Sequence, residues 1–356
     1  VGDIVGGRFE LIDVLDGGGS GTVWRAWDHR DRTYVAAKVL RTGDSDSLIR
    51  FIREAKRVVQ HPHTLAPRNW TGEDDRVLFT MELVRGGSVA TLLGDFGALP
   101  EGWVIELAGQ AADALVAVHA AGFAHRDVKP SNLLLDATGR ERPRLRLGDF
   151  GTAAAFDAPR LTMANAVLGT PGYLSPEAYR GADPAPAQDL FALGVVMRQM
   201  LAGNAPPESR GRDGLVASDE LLTLVDEMLA DDPTARPGSA YEVLNRLQDL
   251  SGAGSLEHGA DPTDPVEVFD HVPPLPAEWG ETGPFARSAS AHPATSPTHN
   301  DPDTVVLNRE PEPEPTPALP KLVQEHPTRS RPDVPIAAWL LLIAGIVLLA
   351  LAIALA

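Results

Sequence analysis

The chain has 356 residues, 43% of them hydrophobic, enough for a packed core, and its 31 prolines exceed what one ordinary domain carries, so a disordered stretch is expected beside a globular part. A net charge of −18 argues against a nucleic-acid binder, which needs a basic face to meet phosphates. With no cysteine, disulfides, thiolate metal sites and Cys nucleophiles are excluded. Residues 1–16 have no apolar core behind a basic start, so no leader peptide is expected there. Short runs rich in β-branched and aromatic residues predict strands over 9–15, 22–27 and 34–40, with Gly17, Gly18, Gly19 and Gly21 between the first two. Apolar residues at helical spacing (Leu48, Phe51, Ile52, Ala55, Val58, Val59) predict a helix over 47–59, and two further strands come near 66–70 and 76–84. After Gly86-Gly87 the pattern turns helical, with predicted helices over 103–119, 188–201, 221–229 and 241–250. A small β-rich part with one helix therefore precedes a larger helical part, and the cleft between them is a natural ligand site.

From 251 to 334 the chain is rich in proline, acidic and small polar residues and cannot bury enough apolar surface to offset its ordering entropy. The run Glu310-Pro-Glu-Pro-Glu-Pro-Thr-Pro is expected to be extended and stiff, a solvated spacer near polyproline II. Residues 336–356 are 21 residues without a charge. At about 1.5 Å per residue they would span roughly 30 Å, the thickness of a bilayer core. Uniform hydrophobicity behind a disordered segment favours a transmembrane helix over 335–356 rather than a buried core helix. Trp339 suits an interface, and Arg329 and Arg331 precede the span with no basic residue after it, which places the N-terminal side in the cytoplasm.

Chemistry concentrates in the globular part. A glycine-rich turn, Leu15-Asp16-Gly17-Gly18-Gly19-Ser20-Gly21-Thr22-Val23, lets backbone N–H groups approach phosphate, although glycine hairpins often serve only as turns. The motifs downstream of it, taken in chain order, give that turn its weight. Val35-Ala36-Ala37-Lys38 puts a lysine in an apolar strand, which is costly unless the lysine is paired, and Glu54 on the next helix is a candidate partner. Then come His125-Arg126-Asp127-Val128-Lys129-Pro130-Ser131-Asn132, Leu147-Gly148-Asp149-Phe150-Gly151, Gly169-Thr170-Pro171 running on to Pro176-Glu177, Asp189-Leu190-Phe191-Ala192-Leu193-Gly194, and Asp232-Pro233-Thr234-Ala235-Arg236-Pro237.

This ordered series resembles the eukaryotic-like (Hanks-type) Ser/Thr protein kinases of bacteria over residues 8–250, and the membrane-anchored layout is similar to the bacterial receptor kinases. The resemblance implies an α+β bilobal protein kinase fold, with a β-rich N-lobe and a helical C-lobe, followed by the linker and one transmembrane helix. It implies ATP with Mg²⁺ or Mn²⁺ and protein substrates bearing Ser or Thr. Residue by residue, Leu15, Gly18, Gly21, Val23 and Ala36 would enclose ATP, and the backbones of Glu82 and Val84 would meet adenine. Lys38 would contact the α- and β-phosphates and be held by Glu54. Asp149 and Asn132 would hold the metal, Asp127 would orient the substrate hydroxyl and accept its proton, and Lys129 would sit by the γ-phosphate. Asp16 stands where the family has its first glycine, which bears on nucleotide affinity. His125 is expected as a packed core histidine, Asp189 as a clamp on the catalytic-loop backbone, and Glu177 with Arg236 as a buried ion pair.

Regulation is read the same way. Thr162 is the candidate activation-segment phosphosite, whose phosphate would pair with Arg126. Thr170 would contact the catalytic loop and help seat substrate. Activation between two molecules implies a transient homodimer. In the tail, Thr304 is either a spacer threonine or a phosphothreonine docking site for a forkhead-associated domain that reads Leu307. The alternative to an active membrane-bound kinase signalling from the cytoplasmic face is a membrane-anchored pseudokinase or scaffold, though Lys38, Asp127 and Asp149 are all present.

Overall fold

The computed structural model describes residues 2–18, 21–41, 59–73, 76–150, 154–155, 169–203, 212, 214–252 and 266–285, all within one compact unit, Val1–Ala289. The predicted helix over 47–59, except its last residue, and the stretch 336–356 lie outside the described residues. No helix among the described residues is long and apolar enough to cross a membrane.

The N-terminal part is a six-stranded sheet of β1 (Ile4–Val5), β2 (Phe9–Gly18), β3 (Gly21–Asp28), β4 (Thr33–Arg41), β5 (Asn69–Glu73) and β6 (Arg76–Glu82), in the order β1-β2-β3-β4-β6-β5. Every pairing is antiparallel. The β3–β4 register is regular from Thr22↔Val39 to Asp28↔Thr33, so side chains alternate cleanly between two faces. Trp24, Ala26, Val35, Ala37 and Val39 join Val5, Phe9, Leu11 and Leu78 in one hydrophobic cluster. Val23, Arg25 and Trp27 therefore share the opposite face with Tyr34, Ala36 and Lys38. The strand predicted near 66–70 lies a few residues later, at Asn69–Glu73, because its pairing is set by β6 rather than by its own composition.

The helical part continues with α1 (Val89–Phe96), α2 (Glu101–Ala120), β7 (Phe123–Ala124), β8 (Leu133–Leu135), β9 (Leu145–Leu147), β10 (Ala154–Ala155), α3 (Pro176–Tyr179), α4 (Pro186–Ala202), α5 (Asp219–Met228) and α6 (Ala240–Gly252). Ser88 starts α1 with a capping box, its hydroxyl accepting from the Thr91 N–H while Thr91 Oγ1 accepts from the Ser88 N–H. Helices α2 and α4 bury residues on nearly every side, as expected of helices at the centre of a core. α2 packs against α4, α6 and β9. Two short antiparallel pairs leave the chemistry-bearing loops where the two parts meet: β8 pairs β9, and β7 pairs β10.

Residues 266–285 depart from the expected disorder of 251–334. Val266 and Val268 are each 1% exposed within the helical-lobe core, and a small hairpin of β11 (Trp279–Gly280) and β12 (Gly283–Pro284) sits on the N-terminal sheet. The apolar anchors are few and widely spaced, so the average composition of the stretch conceals them.

Candidate active site

Lys38 lies on β4 opposite Val23 of β3 and Phe79 of β6, and its Nζ donates to Asp149 Oδ1 at 2.6 Å. The side chains are 12% and 26% exposed, so the pair sits at the wall of a cleft rather than deep in the core. Asp149 has φ of 56°, an uncommon conformation for a non-glycine residue that costs on the order of 1–3 kcal/mol. Phe150 after it is buried, edge-on to the His125 ring at 4.9 Å, in a cluster with Val59, Val118 and Phe123. That packing holds Asp149 in place facing Lys38.

Beside Asp149, on the helical side of the cleft, lies the loop after β7, to which Gly148 is bonded through the Asn132 carbonyl at 2.8 Å. Asp127 is 8% exposed and accepts from three side chains: Lys129 Nζ to Oδ2 at 2.7 Å, Asn132 Nδ2 to Oδ2 at 2.9 Å, and Thr170 Oγ1 to Oδ1 at 2.7 Å. Lys129 Nζ also donates to Thr170 Oγ1 at 2.8 Å. Burial pushes the Asp127 carboxyl pKa up, but the hydrogen bonds from Lys129, Thr170 and Asn132 and the Lys129 charge outweigh it, and the net shift is downward. Asp127 is thus an ionised acceptor at neutral pH.

The loop owes its shape to Asp189, fully buried on α4. Its carboxylate accepts the backbone N–H of His125 and of Arg126, both at 2.8 Å, and faces His119 Nε2 at 2.8 Å. Arg126 has φ of 69°, a strain that these bonds hold. Burial lowers the pKa of the Arg126 guanidinium against the opposing pull of Asp189. His125 Nε2 bonds the Gly148 carbonyl at 3.0 Å and its Nδ1 accepts from the Asp127 N–H at 3.4 Å, a pattern the neutral ring satisfies. Further out, Arg236 pairs both its terminal nitrogens with Glu177, at 2.6 and 2.8 Å, and lies over the Phe191 ring at 5.0 Å.

In the glycine-rich turn, Leu15, Gly18, Gly21 and Val23 lie on β2 and β3, with Gly18 opposite Gly21. Gly21 has φ of 130°, and a Cβ there would stand 2.7 Å from the Val39 carbonyl oxygen, so only glycine fits. Asp16 turns its carboxylate onto its own loop, accepting the Gly17 N–H at 2.8 Å. Ala36 lies buried on β4, facing Met81 of β6, on the same face as Lys38. The Glu82 carboxylate pairs with Arg68 and Arg146, at 2.9 and 3.3 Å, so only its backbone is left to serve a ligand. Val84 lies just past the end of β6. A groove of about 270 Å³ opens beside Lys129 and Thr170, bounded by Ala90, Leu93, Tyr173 and Gln199.

The structure thus brings Lys38 to Asp149, and gathers Asp127, Lys129, Asn132 and Thr170. Glu54 and Thr162 lie outside the described residues. His119 is the residue sequence reasoning missed. Its signal is its place in the last turn of α2, one helix end away from the loop that Asp189 holds. Among the described residues no group of three His, Asp or Glu side chains is set to hold a metal. Asn132 and Asp149 nonetheless suit a hard cation shared with phosphate oxygens. Asn132 spends its amide N–H groups on the Asp127 carbonyl and carboxylate, which leaves its amide oxygen as the acceptor.

The protein kinase domain family matches residues 9–247. The chain is 35% identical over 270 residues to serine/threonine-protein kinase PkaB of Streptomyces coelicolor, covering 69% of this chain and 64% of that one. It is 34% identical over 247 residues to serine/threonine-protein kinase PknA of Mycobacterium tuberculosis, covering 67% and 54%. It is 31% identical over 277 residues to serine/threonine-protein kinase pkn3 of Myxococcus xanthus, covering 70% and 51%. The chain spans about half to two thirds of the length of these relatives. With the ordered motifs, the two-part fold and the cluster around Asp127 all in register with that match, the chain belongs to the protein kinase domain family.

Proposed function

We propose that this chain transfers the γ-phosphoryl group of ATP to serine or threonine hydroxyls of proteins. The observation that carries the proposal is the Asp127–Lys129–Thr170–Asn132 cluster, with Asp149 beside it and Lys38 reaching Asp149 from the N-terminal sheet. In this reading Leu15, Val23 and Ala36 cover the adenine, and the backbones of Glu82 and Val84 meet its edge. Lys38 contacts the α- and β-phosphates. A Mg²⁺ or Mn²⁺ ion, held by Asp149 and the Asn132 amide oxygen, supplies neutralisation of phosphate charge when bound. Asp127 accepts the hydrogen bond of the incoming hydroxyl and aims its oxygen at the γ-phosphorus. The new O–P bond forms as the bond to the bridging oxygen of the departing diphosphate breaks, and the hydroxyl proton passes to Asp127. A carboxylate with a depressed pKa suits this order, because orientation comes first and the proton moves late in a loose transition state. Lys129 and Thr170 hold the Asp127 carboxylate in that aim.

The finer parts of the reading rest on sequence. Thr162 becomes phosphorylated between two molecules of a transient homodimer, and its phosphate pairs with Arg126. Residues 335–356 anchor the protein as a single span in the cell membrane with the catalytic unit on the cytoplasmic side, and Thr304 offers a phosphothreonine to a forkhead-associated partner. Transfer of labelled phosphate to a generic Ser/Thr substrate tests the central claim. Wild type should need a divalent metal, and Lys38→Met, Asp127→Asn and Asp149→Asn should each abolish transfer. Nucleotide binding without any transfer by the wild type would replace this reading with a pseudokinase.

A further inference from the structure

Residues 266–285 run from the helical lobe, past the segment that joins the lobes, to the N-terminal sheet. At the first end Val268 exchanges two backbone hydrogen bonds with Gly139, at 2.8 and 3.0 Å, and both Val266 and Val268 are sealed in the helical core. In the middle, Asp270 pairs with Arg85 at 2.6 Å, and the His271 N–H donates to the Arg85 carbonyl at 2.7 Å. Gly86 and Gly87 fit here because the strap lies against them. A Cβ on Gly86 would stand 2.6 Å from Val268 Cγ1 and from the Leu135 carbonyl oxygen, and one on Gly87 would stand 3.0 Å from the His271 ring.

At the other end the strap meets the sheet face that carries Lys38. Arg25, 2% exposed and paired with Asp13, donates to the carbonyls of Pro273 at 2.8 Å and Pro274 at 3.2 Å. Tyr34 Oη donates to the Gly280 carbonyl at 2.5 Å, and Trp279 packs on both Trp27 and Tyr34. Gly283, at φ of 113°, lies so close to the Trp27 ring that a Cβ would stand 2.5 Å from it. Arg25, Trp27 and Tyr34 alternate in register with Val23, Ala36 and Lys38, so the strap and the nucleotide-facing residues occupy one continuous surface.

We infer that residues 266–285 are a tether that holds the Lys38 face of the N-terminal lobe against the helical lobe and thereby sets the affinity for nucleotide. The chain passes between the lobes at 82–89, and the strap crosses the same boundary a second time, anchored by the buried Val266 and Val268 at one end and the half-buried Trp279 at the other. A ligand that touches both lobes must otherwise select the closed arrangement from a wider ensemble and loses affinity by the fraction that is open. The Arg85–Asp270 pair is about half exposed and contributes little to this, so the tether depends on the Val268 and Trp279 ends.

The test uses the full chain, with Val268→Ala at one end, Trp279→Ala at the other, and Trp279→Phe as the conservative control. Hydrogen exchange of residues 21–41 is followed alongside titration with a fluorescent N-methylanthraniloyl ATP analogue, neither of which needs phosphoryl transfer. The nucleotide arm rests on the proposed function, and the exchange arm does not. Both alanine variants should speed exchange over 21–41 and weaken the analogue, each by about tenfold, the factor expected from losing an aromatic cluster or an equal buried contact. Trp279→Phe should stay within about twofold on the same scale. The decisive result is Val268→Ala, which lies in the other lobe. If its exchange over 21–41 and its analogue affinity match wild type, the strap is local packing and the tether is wrong. A wild type that binds the analogue, responds to both alanines and transfers no phosphate would refute the kinase reading and leave the tether standing.

Discussion

His125 shows how much one buried side chain can set. Burial lowers its pKa from the usual 6.5, opposed by Asp189 and the Gly148 carbonyl, and its hydrogen bonds suit the neutral ring. A ring that is harder to protonate when folded makes the unfolded chain bind more protons as pH falls. Stability is then full above the unfolded value and declines as pH drops below about 6.5. The carboxylates of Asp127 and Glu177, held below their ordinary values, act in the same direction but at more acid pH, below about 4. We expect the melting temperature to fall between about pH 7.5 and pH 5.5, and His125→Gln to flatten that slope. An unchanged slope in the variant would assign the titration elsewhere. Arg236 belongs to this scale too: its side chain is 0% exposed, and Glu177 is 16% exposed beside it. Arg236→Met should cost about 3–5 kcal/mol by chemical denaturation, because Glu177 keeps its charge and loses its cationic partner. Arg236→Lys should recover only part of this, since an ammonium cannot match the two-point contact.

Between elements, the catalytic loop is a product of α4 and α2 as much as of its own residues. Asp189 joins α4 to two loop N–H groups and to His119 at the end of α2. Asp189→Asn replaces one acceptor oxygen with an amide that points N–H at N–H. We expect the turnover rate to fall by about 10–100-fold, the equivalent of one charge-assisted hydrogen bond, with the Michaelis constant for ATP changed far less. A variant with normal turnover would show that the loop holds its geometry without Asp189. The grouping of Asp127, Lys129 and Asn132, the Asp189 clamp and the Glu177–Arg236 pair were legible because each residue belongs to a short motif that carries the family resemblance. The long strands and helices were legible for a different reason: their apolar residues recur with a clean period. The strap was not, because Val268, Trp279 and Gly283 are isolated anchors in a stretch whose composition reads as solvated. Helix α1 was also unresolved as an element: its eight residues are short for a periodic signal, and its start depends on the Ser88 cap. His119 was invisible because its partner lies 70 residues away in sequence.

At the scale of the whole molecule, the two lobes have separate hydrophobic clusters among the described residues, and the helical one is much the larger. Hydrophobic stabilisation scales with buried area, so the helical lobe should be the last to open and the N-terminal sheet should open first. In the proposed reading, a nucleotide held by residues from both lobes changes that order, because it would bind only when Lys38 on β4 and Asp149 beyond β9 face each other. On that reading, ATP with Mg²⁺ at about a hundred times its dissociation constant should stabilise the folded state by about 2.7 kcal/mol. For a domain of this size that corresponds to a rise in melting temperature of roughly 5–10 °C. The shift should be largest with metal present and should shrink in Lys38→Met and Asp149→Asn at the same nucleotide concentration. These variants remove one partner of a pair at the cleft wall, so each variant's own melting temperature without ligand is the reference for its shift. Differential scanning fluorimetry reads both quantities on one plate. Equal shifts in wild type and both variants would mean that nucleotide binds away from the cleft that these residues define.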